Sequence, residues 1–565
     1  MPNSVPSLPL PALPKPGARV DIAGLPGSAD ALAISQLAAA GRRLAVVTAN
    51  PADAQRLLDE IPWFAPHLRV RLLPDWETLP YDHFSPHHDL VSERLATLWA
   101  SLQGEVDVLL VPAATAVYRL TPPAFLAAYT FAFRRGDRLD AENFRRQVTL
   151  AGYSHVTQVV SPGEYSIRGG LIDLFPMGSA LPYRFDLFDD EIESIKTFDA
   201  DSQRTLYPVP EIRLLPAREF PLDDAGRTHF RQRFRETFEG DPAKSGIYKD
   251  ISSGIASAGI EYYLPLFFAE TASLFDYLPG DALVVTLGDT AAAIAAFWRD
   301  TRSRYDLLQG DRARPLLPPE ALFLTDEAFF VAARPHGRIQ LTPAGGDLAG
   351  ALPGIAVDRR SDEPLAAFAH FVAEFSGRVL LLAETAGRRE TLAALLADHG
   401  LAAPTAADLT GLLGGEGRLA LGIGPLQGGF SVPGLAFVTE SELFAGAPRR
   451  NRRTAQKKAG FDNWLKDLTE LKVGDPVVHE NHGIGRYRGL VRMDLGDGEL
   501  EFLELHYANE AKLFVPVSQL HVISRYSGAD PETAPLHTLG SGQWEKAKKK
   551  AAEQARDTAA ELLAL

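Results

Sequence analysis

Cysteine is missing from all 565 residues, which removes disulfides and thiolate metal sites from consideration. Long hydrophobic runs are missing too. No stretch approaches the roughly 18 apolar residues that a membrane-spanning helix needs, and no basic-then-apolar leader opens the chain. Positive charge is in the minority, with 57 Lys and Arg against 72 Asp and Glu and a formal net charge of -15. Nonspecific attraction to nucleic acid through overall charge is therefore not expected. Together these absences predict a cytoplasmic protein with no membrane partner.

What is present is globular in character. A composition 46% hydrophobic and 23% charged can build folded cores, and the length requires roughly three to five of them. Residues 1–19 are the exception: Pro2, Pro6, Pro9, Pro11, Pro14 and Pro16 crowd this stretch, which is expected to be a disordered lead-in. Beyond it, Leu44 to Thr48 and Val106 to Val111 are short apolar runs bounded by polar residues, as buried parallel strands are, with helices predicted from Ser28 and Pro51. Between strand and helix, Gly24-Leu25-Pro26-Gly27-Ser28-Ala29-Asp30-Ala31 falls in the register of the phosphate-binding loop G-x-x-x-x-G-K-[ST]. Ala29 replaces the last glycine, Asp30 the lysine, and Ala31 the hydroxyl that would hold magnesium. Asp30 would set a negative charge where a nucleotide brings its own, so no nucleotide is expected there. The helix starting at Ser28 still has free N–H groups, but a plain strand-to-helix connection is the better reading.

Downstream the pattern changes. Short alternating pieces (Gly163 to Tyr165, Leu171 to Phe175, Tyr183 to Leu187, Glu191 to Phe198), separated by Gly, Pro and Asp-Asp turns, predict a small, mostly antiparallel domain. The α/β character returns with Ala282 to Leu287, and a further small α/β unit follows, with a strand at Arg378 to Leu382 and a helix at Gly387 to His399. The run Arg449-Arg450-Asn451-Arg452-Arg453 with Lys457 and Lys458 reads as a solvated linker. From Gly474 to about Tyr526 the alternation of Leu503, Leu505 and Tyr507 against Leu513, Val515 and Val517 predicts a compact β module. Trp544, Ala547, Ala551, Ala555, Ala559 and Leu562 then recur at helical spacing to Leu565 without a terminating signal, as a truncated helix would.

Four motifs are more specific than these patterns: DWETLPYD from Asp75, GEYSIRGGLIDLFPMGS from Gly163, FDDEIESIKTFDADSQRT from Phe188 and VVHENHGIGRYRGL from Val477. In them the chain resembles the N-terminal region of the bacterial transcription-repair coupling factors, itself a degenerate copy of UvrB, from about Val20 to Leu565. The resemblance implies a multidomain α/β protein. A degenerate RecA/UvrB-like α/β region occupies 20–128 and 216–345 and carries a UvrA-binding domain inserted at 129–215. A small α/β domain follows at 346–445, then a basic linker at 446–470. A CarD-like, SH3-type β-barrel that meets RNA polymerase spans 471–540, and a connecting helix 541–565. UvrB carries a long DNA-clamping hairpin after its aromatic segment; here only about five residues separate Ser85 from Val91, so that grip is expected to be missing.

Candidate residues follow. Arg168, Arg184 and Phe188 form an Arg–Arg–aromatic set, with Arg184 and Phe188 on one face of a strand. On the residues alone they are either a protein-binding hot spot or solvated arginines beside a core Phe. The resemblance implies contact with UvrA. Arg488, Leu490, Arg492 and Met493 lie just after the glycine-rich hairpin, where Leu490 and Met493 read in isolation as core; the resemblance places the β subunit of RNA polymerase against them. His83, His87 and His88 with Asp82 and Asp89 match no metal-site spacing and read as polar loop residues, as do His479 and His482. Asp189-Asp190-Glu191 reads as a hairpin turn.

The implied function is a non-catalytic scaffold of transcription-coupled nucleotide excision repair that joins stalled polymerase to UvrA and needs no cofactor of its own. In the family, ATP, magnesium and most DNA contact belong to motor domains beyond this region, and a C-terminal domain covers the UvrA-binding surface at rest. The competing reading is a nucleotide-dependent helicase or repair nuclease subunit active by itself.

Overall fold

In the computed structural model, residues 7–444 are described apart from 359, 362, 407 and 416, and so are 474, 476–479, 483–494, 499–516, 523–525, 536 and 538. They fall in two units, residues 1–446 and 447–565. The expected basic linker and the connecting helix lie outside the described residues, as does Val517.

The proline-dense opening is not disordered throughout. Leu8 is buried with Leu10 and Leu13 packed beside it, its N–H donates to Gln36 Oε1 at 3.0 Å, and Arg42 reaches Pro14 O at 2.7 Å. The leucines between the prolines supply enough apolar surface to hold an extended segment against the first helix, which the expectation of disorder overlooked.

The first four strands are β1 (Arg19–Ala23), β2 (Leu44–Thr48), β3 (Val70–Leu72) and β4 (Val108–Pro112), with helices α1 (Ala29–Ala39), α2 (Pro51–Phe64) and α3 (His88–Leu102) between them. β2 and β4 are buried throughout, as their unbroken apolar runs require. Asn50 caps α2 with Pro51 at its first position, and Ser28 precedes α1.

The chain then leaves this sheet. β5 (Phe131–Arg134) and β12 (Glu211–Leu214) pair antiparallel and zip the incoming and outgoing chain together. Between them lie β6 (Ser154–His155), β7 (Glu164–Arg168), β8 (Leu171–Phe175), β9 (Tyr183–Phe188), β10 (Glu191–Phe198) and β11 (Thr205–Pro208), in a sheet ordered β11-β10-β9-β8-β7-β6. All its pairs are antiparallel except β6 with β7. Asp189 and Asp190 form the two-residue turn between β9 and β10, Asp189 taking a φ of 58°. One face of the sheet (Tyr165, Ile172, Leu174, Phe185, Ile192, Ile195) packs with Phe133 and with Phe144 and Val148 of the helix Ala141–Leu150.

β13 (Leu283–Leu287) and β14 (Gly337–Thr342) return to the first sheet, giving six parallel strands ordered β1-β14-β13-β2-β4-β3. The DWETLPYD segment ties the two halves together. Trp76 and Tyr81 are buried, Tyr81 Oη donates to Leu317 O at 3.0 Å, and Tyr262 Oη donates to Leu79 O at 2.7 Å. Arg94 from α3 donates to Glu219 at 2.7 Å and to Pro74 O at 2.7 Å. Tyr81, Tyr262 and Arg94 each find a partner across the split, which offsets most of the cost of their burial, although Arg94 Nη2 and Glu219 Oε2 stay unpaired.

β15 (Arg378–Ala383), β16 (Leu419–Ile423), β17 (Phe430–Val432) and β18 (Leu435–Thr439) make a separate sheet ordered β16-β15-β18-β17, parallel except for the β17–β18 hairpin. In the second unit, β19 (Pro476–His479), β20 (Gly483–Asp494), β21 (Glu499–His506), β22 (Lys512–Pro516) and β23 (Ile523–Arg525) form an antiparallel sheet ordered β22-β21-β20-β19-β23. Its core is Val477, Tyr487, Leu503, Leu505, Tyr507 and Val515, with Leu503, Leu505 and Tyr507 alternating along β21 and the residue after it.

Candidate protein-binding surface and the remnant nucleotide loop

The antiparallel sheet of the inserted region has one apolar face, so alternation places its polar residues on the other. Register sets Asp173 opposite Arg184, and Arg184 opposite Lys196. Asp173 is the hub. Its side chain is 1% exposed and both of its oxygens are taken by arginines. Arg184 Nε and Nη2 donate to it at 2.6 and 3.0 Å, and Arg168 Nη2 donates to Oδ2. Arg184 also lies 4.6 Å over the Phe198 ring and reaches Gln203 O at 3.3 Å. These hydrogen bonds to Asp173 raise the Arg184 pKa further and keep it charged. Beside them Asp186 accepts from Ser194 at 2.6 Å and Lys196 at 2.8 Å; although burial opposes it, these bonds hold the Asp186 carboxyl below its ordinary pKa.

The three predicted residues therefore differ in what they can offer. Arg168 is 52% exposed and keeps donors to spare, and Phe188, at the end of β9, is 76% exposed. Arg184 is only 16% exposed and spends its fork on Asp173. It shapes the surface from beneath, positioning Asp173 and through it Arg168. Sequence reasoning missed Asp173. The available signal was a carboxylate in the middle of the otherwise apolar strand LIDLF.

In the β module, Arg488 and Leu490 lie on β20 with exposed side chains, Leu490 at 44%. Arg492 and Met493 continue the same strand, paired with Glu501 and Leu500; their side chains lie outside the described residues.

The Gly24–Ala31 loop is closed. Ser28, Ala29, Asp30 and Ala31 are all buried. Arg56 of α2 takes Asp30 in a two-pronged pair, Nη1 to Oδ1 at 2.8 Å and Nη2 to Oδ2 at 2.6 Å, and also meets Glu60 at 2.6 Å. The carboxylate in the register of the motif's lysine is thus paired with an arginine from within the protein. Among the described residues, no group of three or more His, Cys, Asp or Glu side chains is placed to hold a metal ion. His83 meets Arg314 at 3.0 Å, and His87 accepts from the Asp89 N–H at the start of α3.

The chain is similar in sequence to known proteins. The chain is 43% identical over 558 residues to the transcription-repair-coupling factor of Haemophilus influenzae, covering 95% of this chain and 48% of that protein. It is 44% identical over 522 residues to the Escherichia coli factor, covering 90% and 45%, and 26% identical over 576 residues to that of Bacillus subtilis, covering 96% and 48%. This chain is homologous to part of a transcription-repair-coupling factor. It spans about half the length of these coupling factors. Profiles place the parts: the UvrB interaction domain matches residues 131–220, the region between the β5–β12 ribbon strands with the polar sheet face, and the MFD D3 domain matches 371–443. The CarD-like/TRCF RID domain matches 471–527, the second-unit sheet. Among the described residues no helix is long and apolar enough to cross a membrane.

Proposed function

We propose that this chain is the recruitment part of a transcription-repair-coupling factor, working in the cytoplasm. The inserted sheet binds UvrA through Arg168 and Phe188, with Arg184 beneath. The CarD-like module, an SH3-type barrel in this reading, binds the β subunit of RNA polymerase through Arg488, Leu490, Arg492 and Met493. The first sheet is a RecA/UvrB-like fold that has lost its nucleotide. The observation that carries the reading is the polar sheet face within the UvrB interaction domain, where an exposed aromatic and a half-exposed arginine stand on a buried, charge-paired base. Exposed aromatics beside arginines are the usual anchors of protein interfaces. DNA and ATP are left to the remainder of a full-length factor.

The polymerase contact is tested on Leu490. Leu490→Arg puts a charge into an apolar contact while disturbing nothing inside the module. Its affinity for the polymerase β subunit should fall about thirtyfold, equivalent to about 2 kcal/mol, with the circular dichroism spectrum unchanged. Undiminished binding would remove this strand from the interface.

The competing reading, a nucleotide-dependent enzyme, is tested by titration calorimetry with ATP and magnesium. The trace should be flat, because the Asp30–Arg56 pair fills the position of the phosphate-binding charge. Micromolar binding that depends on Asp30 would restore the enzyme reading.

A further inference from the structure

We infer that residues 426–429 of the small α/β region are a resident internal ligand of the remnant nucleotide loop, and that this peptide takes the place of the lost phosphates. A working phosphate loop presents free backbone N–H groups to phosphate oxygens. Here the Ser28 N–H donates to the Gly428 carbonyl oxygen at 3.0 Å. The Ser28 hydroxyl accepts from the Gln427 and Gly428 N–H groups at 3.2 and 3.1 Å and donates to Glu60 Oε1 at 2.8 Å. Glu60 Oε1 in turn accepts from the Gln427 N–H at 2.8 Å. A carbonyl oxygen thus occupies the anion's role, while Glu60 and the Ser28 hydroxyl satisfy the two amides that arrive with it.

The glycines on both sides exist for this contact. A Cβ on Gly27 would lie 2.4 Å from the Gly429 carbonyl oxygen, and one on Gly428 would lie 2.7 Å from Gly27 Cα. The two backbones touch, which only glycine permits. Gly27 has outlived nucleotide binding because a peptide now sits where phosphates would. An apolar seam extends the contact: Trp63 and Phe64 of α2 meet Phe437 edge-on at 6.0 and 5.7 Å, and Leu25, Leu32 and Ile61 share one core with Leu426 and Phe430.

The charges at this contact do not balance. Among the described residues, Arg56 alone pairs with Asp30 across from α1 and with Asp53 and Glu60 on its own helix. Burial pushes the Glu60 carboxyl up to about 7, against the pull of Arg56 and with Asp30 adding to the rise. A carboxyl raised in the folded state stabilises that state most below its unfolded pKa, and the contribution is lost as pH rises through the folded value. Docking should therefore weaken between pH 5 and pH 8.

The test is hydrogen exchange on the whole chain, corrected for intrinsic rates. Gly27→Ala should speed exchange at Ser28, Gln427 and Gly428 and through the β17–β18 hairpin by about tenfold or more, leaving the inserted sheet at wild-type protection. Gly41→Ala is the control, since it carries a comparable left-handed φ of 89° with nothing within 4 Å. If the two variants behave alike, or if Gly27→Ala leaves 427–439 protected, the internal ligand is overturned. Should Gly27→Ala fail to fold, Ser28→Ala decides by the same readout. Wild type should open more readily at pH 8 than at pH 5.5, and Glu60→Gln should not; an unchanged pH response in Glu60→Gln also counts against the docked peptide.

Discussion

Replacing Arg168 and Arg184 together by alanine should unfold the polar base of the inserted sheet as well as remove its binding surface. Asp173 is 1% exposed and holds both arginines, so the double variant strands a buried carboxylate. Breaking a buried pair in this way costs about 3–5 kcal/mol, most of it the penalty of the charge left behind. Arg168→Ala alone leaves Arg184 doubly bonded to Asp173 and should cost about 1 kcal/mol or less. Phe188→Ala should cost no stability, because its ring is 76% exposed, yet it should weaken UvrA binding by about 2 kcal/mol. Urea denaturation of the three variants, set beside UvrA affinity, separates the two effects. A double variant as stable as wild type would show that Asp173 does not depend on its arginines. Full UvrA binding by both Arg168→Ala and Phe188→Ala would remove this face from the interface. The double variant alone cannot report on binding, since loss of fold and loss of contact would look the same.

Arg94→Met should be the most damaging single change in the helices that flank the first sheet. Arg94 is wholly buried, donates to Glu219 and to Pro74 O, and lies 5.1 Å from the centre of the Trp76 ring. Met fills similar volume but leaves Glu219 with only a 3.4 Å hydrogen bond from Trp76 Nε1, a loss of about 3–5 kcal/mol. Replacing the pair together, Arg94→Met with Glu219→Leu, removes the stranded charge and should recover most of that loss. Denaturant midpoints of the two variants check this. If the double variant is no better than the single one, the cost lies in packing against Trp76 and not in the buried carboxylate.

Strand Leu44–Thr48, the strand expected at Val106–Val111 and found at Val108–Pro112, the Asp189–Asp190 turn and the apolar alternation of Leu503, Leu505 and Tyr507 were all legible in the sequence. Each follows from the spacing of apolar residues or from a turn chemistry that acts over a few positions. That Asp30 stands in the register of the motif's lysine was legible for the same reason, because the motif is local. Arg168 and Phe188 could be picked out as residue types suited to an interface. Partners could not be read this way. Asp30 finds Arg56 twenty-six residues on, Trp76 and Arg94 find Glu219 more than a hundred residues away, and Gln427 returns to Ser28 across 399 positions. Periodicity says which face of an element is buried but not what will cover it. The tertiary structure alone decided that Arg184 lies beneath the surface it was predicted to form, that Leu8 anchors a proline-rich segment, and that a Gly-Gly peptide fills the remnant loop. In each case a buried polar or apolar group had to find its complement, and only the folded chain brings those complements within reach.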